Sequence, residues 1–200
     1  MAKKSYGLTR REILKSSVLL PLLASSNSFS SPSNGYFLPS DKKVLVAYFS
    51  RSGNTRVIAG QLHRALNTAL FEIQPAKPYP EDYEETVAQV RQETGTNFEP
   101  PLLSQVPNIA AYDTLFLGFP IWGTTLPPVI RTFLSSHDLS GKTLIPFITH
   151  GGYGVGSSLK VLASYAPHVN LVKGFVKRAD SERETLTQLT QWLSESELKI

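Results

Sequence analysis

Three short segments concentrate the side chains able to hold a ligand. The first, Ser50-Arg51-Ser52-Gly53-Asn54-Thr55, directly follows the apolar run Val44 to Phe49. Where a strand passes into a helix, the first-turn N–H groups lack partners and carry partial positive charge, which suits a phosphate. Ser50, Ser52, Asn54 and Thr55 add side-chain donors, and Gly53 permits close backbone approach. Ser and Asn also cap ordinary helices, so the loop alone leaves both uses open. It is not a Walker loop, which needs a Lys-Ser or Lys-Thr pair, and no G-x-G-x-x-G occurs in the chain. The second segment runs from Gly118 to Thr125 and holds Pro120, Ile121, Trp122 and Gly123. An indole beside glycine on a loop can cover a flat ring, where stacking adds about 0.5–1.5 kcal/mol beyond area burial. It can equally plug the top of a sheet. The third segment, Thr149-His150-Gly151-Gly152-Tyr153-Gly154-Val155-Gly156, is rich enough in glycine to turn backbone amides toward a polar ligand edge, or simply to make a tight turn. Together the three describe a phosphate cradle, an aromatic wall and an amide-rich rim, fit for a phosphorylated planar ring.

Other chemistries fall away on composition. The chain has no cysteine, which removes thiol catalysis, iron–sulfur clusters, cysteine–zinc sites and disulfides. His63, His137 and His168 stand singly, without metal-ligand spacing. The net charge of +4 invites a nucleic-acid reading until it is located. Five of the 20 basic residues, Lys3, Lys4, Arg10, Arg11 and Lys15, lie in the first thirty positions against the single acid Glu12. The remainder balances at 15 basic and 15 acidic residues, so no nucleic-acid partner is expected.

The elements that must position these loops alternate. Val44 to Phe49, Leu70 to Ile73, Thr114 to Gly118, Thr143 to Thr149 and Leu171 to Phe175 read as strands. The first is apolar without alternation, the habit of a strand buried on both faces of a parallel sheet. Ile58, Leu62 and Leu66 mark a helix starting near Asn54, and a polar helix is expected from about Glu81 to Glu93. Pro127 and Pro128 open another helix, where missing N–H groups cost little. Ser181 to Glu184 reads as a capping box opening the last helix, with Leu186, Leu189 and Leu193 on its inner stripe. Strands alternating with helices over about 160 residues predict a doubly wound, three-layer α/β sandwich in one domain, 41–200. Ligands of such sheets sit beyond the carboxyl ends of the strands, where all three segments fall.

Residues 1–30 read as a signal peptide, with Arg10 and Arg11 ahead of the short apolar run Val18 to Ala24. The pair followed by Glu-Ile-Leu-Lys resembles a twin-arginine export signal, which implies a periplasmic protein carried folded, with no stable membrane anchor in the mature form. Residues 31–40 are a Ser/Pro-rich linker.

Residues 46–55, 118–128 and 149–156 together resemble the flavodoxin family, and the likeness spans about residues 43–196. It implies a five-stranded parallel sheet in the order 2-1-3-4-5 and FMN as cofactor. FMN phosphate would lie at Ser50, Ser52, Gly53, Asn54 and Thr55 with Arg51 beside them, and the ring against Pro120, Ile121, Trp122 and Gly123. The ring edge would meet Thr149, His150, Gly151, Gly152, Tyr153 and Gly154. Gly123 is the candidate peptide that turns toward the ring on reduction. Ser50-Arg51-Ser52 and His150 depart from the residues many relatives carry. The loops contain no Asp or Glu, and they hold Arg51 and His150. One cation about 10 Å from the ring, at an effective dielectric of about 20, is worth about 1.7 kcal/mol, so a less negative reduction potential than that of an acidic flavodoxin is expected. The resemblance implies electron transfer to a partner protein or small acceptor; the alternative is an FMN-dependent reductase of a quinone or similar molecule. A flavin-free binding module is a third reading, disfavoured by the phosphate loop and Trp122. Tyr79 and Tyr83 either line the pocket or pack on the surface.

Overall fold

The structure, a computed structural model, describes residues 43–179 and 182–196. The expected signal peptide, the linker and Ser181 of the capping box lie outside the described residues. Elements run β1 (Val44–Tyr48), α1 (Asn54–Leu66), β2 (Ala69–Glu72), α2 (Tyr83–Gly95), a single 3-10 turn (Ile109–Ala111) and β3 (Thr114–Pro120). They continue with α3 (Pro128–Ser136), β4 (Thr143–His150), α4 (Ser158–Tyr165), β5 (Asn170–Leu171), β6 (Phe175–Arg178) and α5 (Glu182–Glu195). All strand pairs in the sheet are parallel, in the order β2-β1-β3-β4-β5, with β6 continuing alongside β4. This is the expected doubly wound order.

Side-chain alternation along β1 splits the core in two. Val44, Val46 and Tyr48 face one layer with Ile58 and Leu62 of α1 and Leu189 and Leu193 of α5. Leu45, Ala47 and Phe49 face the other, with Val129, Ile130 and Phe133 of α3 and Leu162 of α4. Both faces of β1, β3 and most of β4 are buried, which is why these strands lack polar alternation. The α1 stripe of Ile58, Leu62 and Leu66 is buried as its spacing requires.

Two expectations need correction. The polar helix starts at Tyr83 rather than Glu81, because the Asp82 side chain accepts the Glu85 N–H at 2.9 Å and sets the first turn there. The last strand is not one run from Leu171 to Phe175 but two pieces, β5 and β6. Val172 N–H donates to Leu144 O and Ala179 N–H to His150 O, so even-numbered residues of β4 face this edge. Pro146 is one of them and offers no N–H, which interrupts the ladder. Two β4 residues, Ile145 and Pro146, then stand opposite three, Val172 to Gly174, and the edge bulges. A Cβ on Gly174 would lie 1.8 Å from Pro146 O, so the bulge needs a residue without a side chain. Among the described residues no helix is long and apolar enough to cross a membrane.

Candidate functional site

The connections after β1, β3 and β4 meet at the carboxyl edge of the sheet. In the first, Ser50 Oγ accepts the Gly53 N–H at 3.1 Å, and Asn54 Nδ2 donates to Ser52 Oγ at 3.3 Å. The cap of α1 is Gly53, which brings no side chain to satisfy the helix end. The first backbone bond returning to it comes from Val57, so the amides of Asn54, Thr55 and Arg56 find no acceptor among the described residues. The first turn carries no acidic side chain either. A helix end with free donors, ringed by the exposed Ser52 and Asn54 and the half-buried Ser50, fits an anionic group. Arg51 turns away from this end: its Nη2 donates to Glu81 O at 2.6 Å, and its guanidinium lies 6.0 Å from the centre of the Tyr83 ring.

The loops are tied to one another below the rim. Thr55 Oγ1 and Thr149 Oγ1 share a hydrogen bond of 2.8 Å, and both residues are buried. Removing one hydroxyl strands the other, at about 1–3 kcal/mol, whereas removing both is nearly neutral. Thr55→Val or Thr149→Val alone is therefore expected to lower unfolding stability by about 1.5 kcal/mol, with the double variant closer to wild type than either. Urea denaturation of the four proteins measures this, and simple additivity would remove the bond from the account.

In the second loop, Ile121 N–H donates to Thr149 O at 2.8 Å. Trp122 and Thr125 exchange backbone hydrogen bonds of 3.0 and 3.2 Å around Gly123 and Thr124. The half-buried Trp122 ring is held edge-on by Phe49 and Tyr79, with centroids 5.1 and 4.8 Å away. In the third loop His150 Nδ1 accepts the N–H groups of Gly152 and Gly154 at 3.1 and 3.2 Å. An Nδ1 that accepts two donors carries no proton, which leaves the ring hydrogen on Nε2. The imidazole thus folds the loop onto itself. Two amides that the sequence offers to a ligand bond to His150 instead. Thr124 O accepts from Ser157 N–H at 2.8 Å and joins the second loop to the third. At Gly156, φ is +53° and a Cβ would lie 2.0 Å from Thr124 O, so only glycine makes this junction.

All sixteen sequence-derived positions lie in the three connections or in the strand and helix ends that flank them, but their environments differ. Thr55 and Thr149 are buried ties, Pro120, Ile121, Trp122 and His150 are half-buried, and Gly123, Gly151, Gly152 and Tyr153 are exposed on the rim. Tyr153 is 93% exposed. Of the two residues invoked for the reduction potential, Arg51 points toward Glu81 O and the Tyr83 ring, and His150 Nδ1 accepts two amides of its own loop. Tyr79 packs behind Trp122, while Tyr83 is 64% exposed. The other histidines serve the scaffold where they bond at all: His137 accepts the Val106 N–H and donates to Phe133 O, and His63 Nδ1 lies 2.6 Å from Thr68 O.

Comparison with known proteins agrees with this geometry. The flavodoxin family profile matches residues 43–196. A crystal structure of a protein from Bacteroides uniformis ATCC 8492, provisionally classed as a flavoprotein, is 37% identical, with a TM-score of 0.66, covering 75% of this chain and 98% of that one. A second, from Bacteroides eggerthii DSM 20697 and classed in the same way, is 33% identical, with a TM-score of 0.65 and coverage of 77% and 99%. A flavoprotein from Lactobacillus acidophilus NCFM, crystallised with FMN, shares the fold at 22% identity and a TM-score of 0.61, covering 73% and 99%. No curated protein sequence matches. Family profile, sheet order and the three converging loops agree, and the chain belongs to the flavodoxin family.

Proposed function

We propose that this protein binds FMN at the three-loop edge and transfers electrons. The observation that carries the reading is the end of α1, where three backbone amides without acceptors among the described residues open among hydroxyl side chains, beside a loop bearing Trp122. Bound flavin would supply the redox chemistry, and the protein its placement and electrostatics. The amides of Asn54, Thr55 and Arg56, with Ser50, Ser52 and Asn54, would hold the phosphate. Pro120 to Gly123 and the loop from Thr149 to Gly154 would flank the ring. The Thr55–Thr149 bond and the Thr124–Ser157 bond keep these walls together before any ligand arrives. Gly123 and Tyr153 are exposed, which leaves the rim open to an electron partner, a protein or a small acceptor. The paired Arg10 and Arg11 ahead of a short apolar run support export by the twin-arginine route to the periplasm.

Titration of flavin-free protein with FMN and with riboflavin tests the site. FMN is expected to bind at least a hundredfold more tightly, because only its phosphate uses the helix end. Ser52→Asp, which sets a carboxylate against that phosphate, is expected to weaken FMN more than tenfold and to leave riboflavin unchanged. Equal affinity for both flavins, or no flavin binding, would overturn the reading.

A further inference from the structure

A second recess opens between the first loop and the connection from β2 to α2. It encloses about 570 Å³, inside the range of about 300–1,000 Å³ typical of small-molecule sites. Its apolar lining includes Phe49, Ile73, Tyr79 and Leu103, and Arg51 and Arg56 border it. It shares Ser50 and Arg51 with the first loop, while none of the residues from 118 to 125 or from 149 to 156 lines it.

The covering chain is built to stay open. Pro75, Pro78 and Pro80 fix their own φ angles and withhold N–H groups, so this stretch arches over the recess instead of pairing with the sheet. Its two ends are pinned. Ala76 N–H donates to Pro101 O at 2.7 Å and Leu103 N–H to Gln74 O at 2.8 Å, a two-stranded clamp with the distant 101–103 segment. At the far end Arg51 holds Glu81 O, and Thr86 Oγ1 holds Pro80 O at 2.8 Å. The clamp leaves Leu103 61% exposed at the mouth, an apolar side chain facing the recess.

The charges at the border are unequal in availability. Arg56 is committed to Glu72, whose hydrogen bond raises its pKa, and Glu72 is thereby neutralised. Arg51 spends one N–H on a backbone carbonyl and keeps the rest of its five-donor fork. Glu81 is the other acid at the border, and it is exposed. An aromatic floor, an apolar lip and one available guanidinium select a flat, apolar molecule with a single anionic group.

We propose that this recess is a second small-molecule site, for a planar aromatic ligand carrying one anionic oxygen group, with Arg51 as its anion anchor. It adjoins the flavin edge at Ser50 and shares no residue with the second or third loop, so its occupancy does not depend on flavin being there. The probe is anthraquinone-2-sulfonate, titrated by calorimetry into the oxidised protein, both flavin-free and FMN-saturated. The neutral 2-(hydroxymethyl)anthraquinone is the control. One-to-one binding in the micromolar range, equal with and without FMN, is expected. Arg51→Gln should weaken the sulfonate at least tenfold and the neutral analogue less than twofold, while Leu103→Asp should weaken both. Both substitutions are at exposed positions, and circular dichroism checks that the fold persists. Competition between probe and FMN, no binding below millimolar, or equal losses for the two probes in Arg51→Gln would each overturn the assignment.

Discussion

Gly118→Ala is expected to cost about 3 kcal/mol of unfolding stability, the upper part of the range for an overpacked core. On the face of the sheet beneath α1, Tyr48, Gly118, Phe147 and Phe175 stand in register across four strands. The Phe147 ring lies over the vacancy at Gly118, and an alanine Cβ there would sit 2.1 Å from two of its carbons. The ring is fully buried among packed neighbours, so it cannot simply swing aside. For a chain of this size the loss corresponds to a fall in Tm of about 6–12 °C. Phe147→Leu placed in the same chain removes the ring edge, so the double variant should lose less than the two single losses added together. A Gly118→Ala protein within 0.5 kcal/mol of wild type would show that the strand yields there. The position also matters for the site. Gly118 O accepts the Phe49 N–H at 2.9 Å, and two residues later the strand delivers Pro120 to the second loop. A displaced Phe147 should therefore weaken flavin binding along with stability.

What was legible in the sequence was whatever depends on local pattern. β1, β3 and β4 are apolar without alternation because both of their faces are covered, and α1 shows its stripe because only one of its faces is. The three loops were visible because their residue types are unusual for plain connections, and strand order puts them at one edge. Features set by register or by distant partners were not visible. Pro146 breaks the last strand only because it faces that edge, and this follows from hydrogen-bond parity, not composition. The clamp between residues 74–76 and 101–103 joins segments that share no pattern. α2 read as a polar helix, yet it turns Thr86 and Glu93 inward. His150 suggested a cation or a hydrogen bond to a ring, and only the path of the following loop shows it accepting two amides. The Pro-Tyr-Pro stretch at 78–80 was the one available hint of the second recess.

The inward Glu93 leads to the second large effect, at alkaline pH. Tyr79 donates its hydroxyl to Glu93 Oε2 at 3.0 Å, while Gln89 Nε2 donates to Oε1 at 2.7 Å. Burial first, then the neighbouring charge of Glu93 and the hydrogen bond to it, push the Tyr79 pKa far above the ordinary phenol value. In the unfolded chain the same phenol ionises near pH 10. Above that pH the unfolded state has released a proton that the folded state keeps, so stability falls as pH rises. The slope from this one group approaches about 1.4 kcal/mol per pH unit. Its contribution is complete below pH 10 and declines upward from there. Tyr79→Phe removes the slope and costs about 1 kcal/mol at neutral pH, because Glu93 loses one of its two donors. The stability curves of wild type and variant should therefore converge above pH 10 and meet near pH 11. Tyr48 and Tyr165 also have raised values through burial, but they are present in both proteins and cancel in the difference. Curves that stay parallel from pH 8 to pH 11 would mean that Tyr79 ionises in the folded state and that Glu93 does not hold it. The same ring touches Trp122 and lines the second recess, so indole fluorescence should hold its neutral-pH value until the sheet itself unfolds. Such simultaneity follows from the Tyr79–Glu93 bond, which keeps its proton for as long as the aromatic wall is folded.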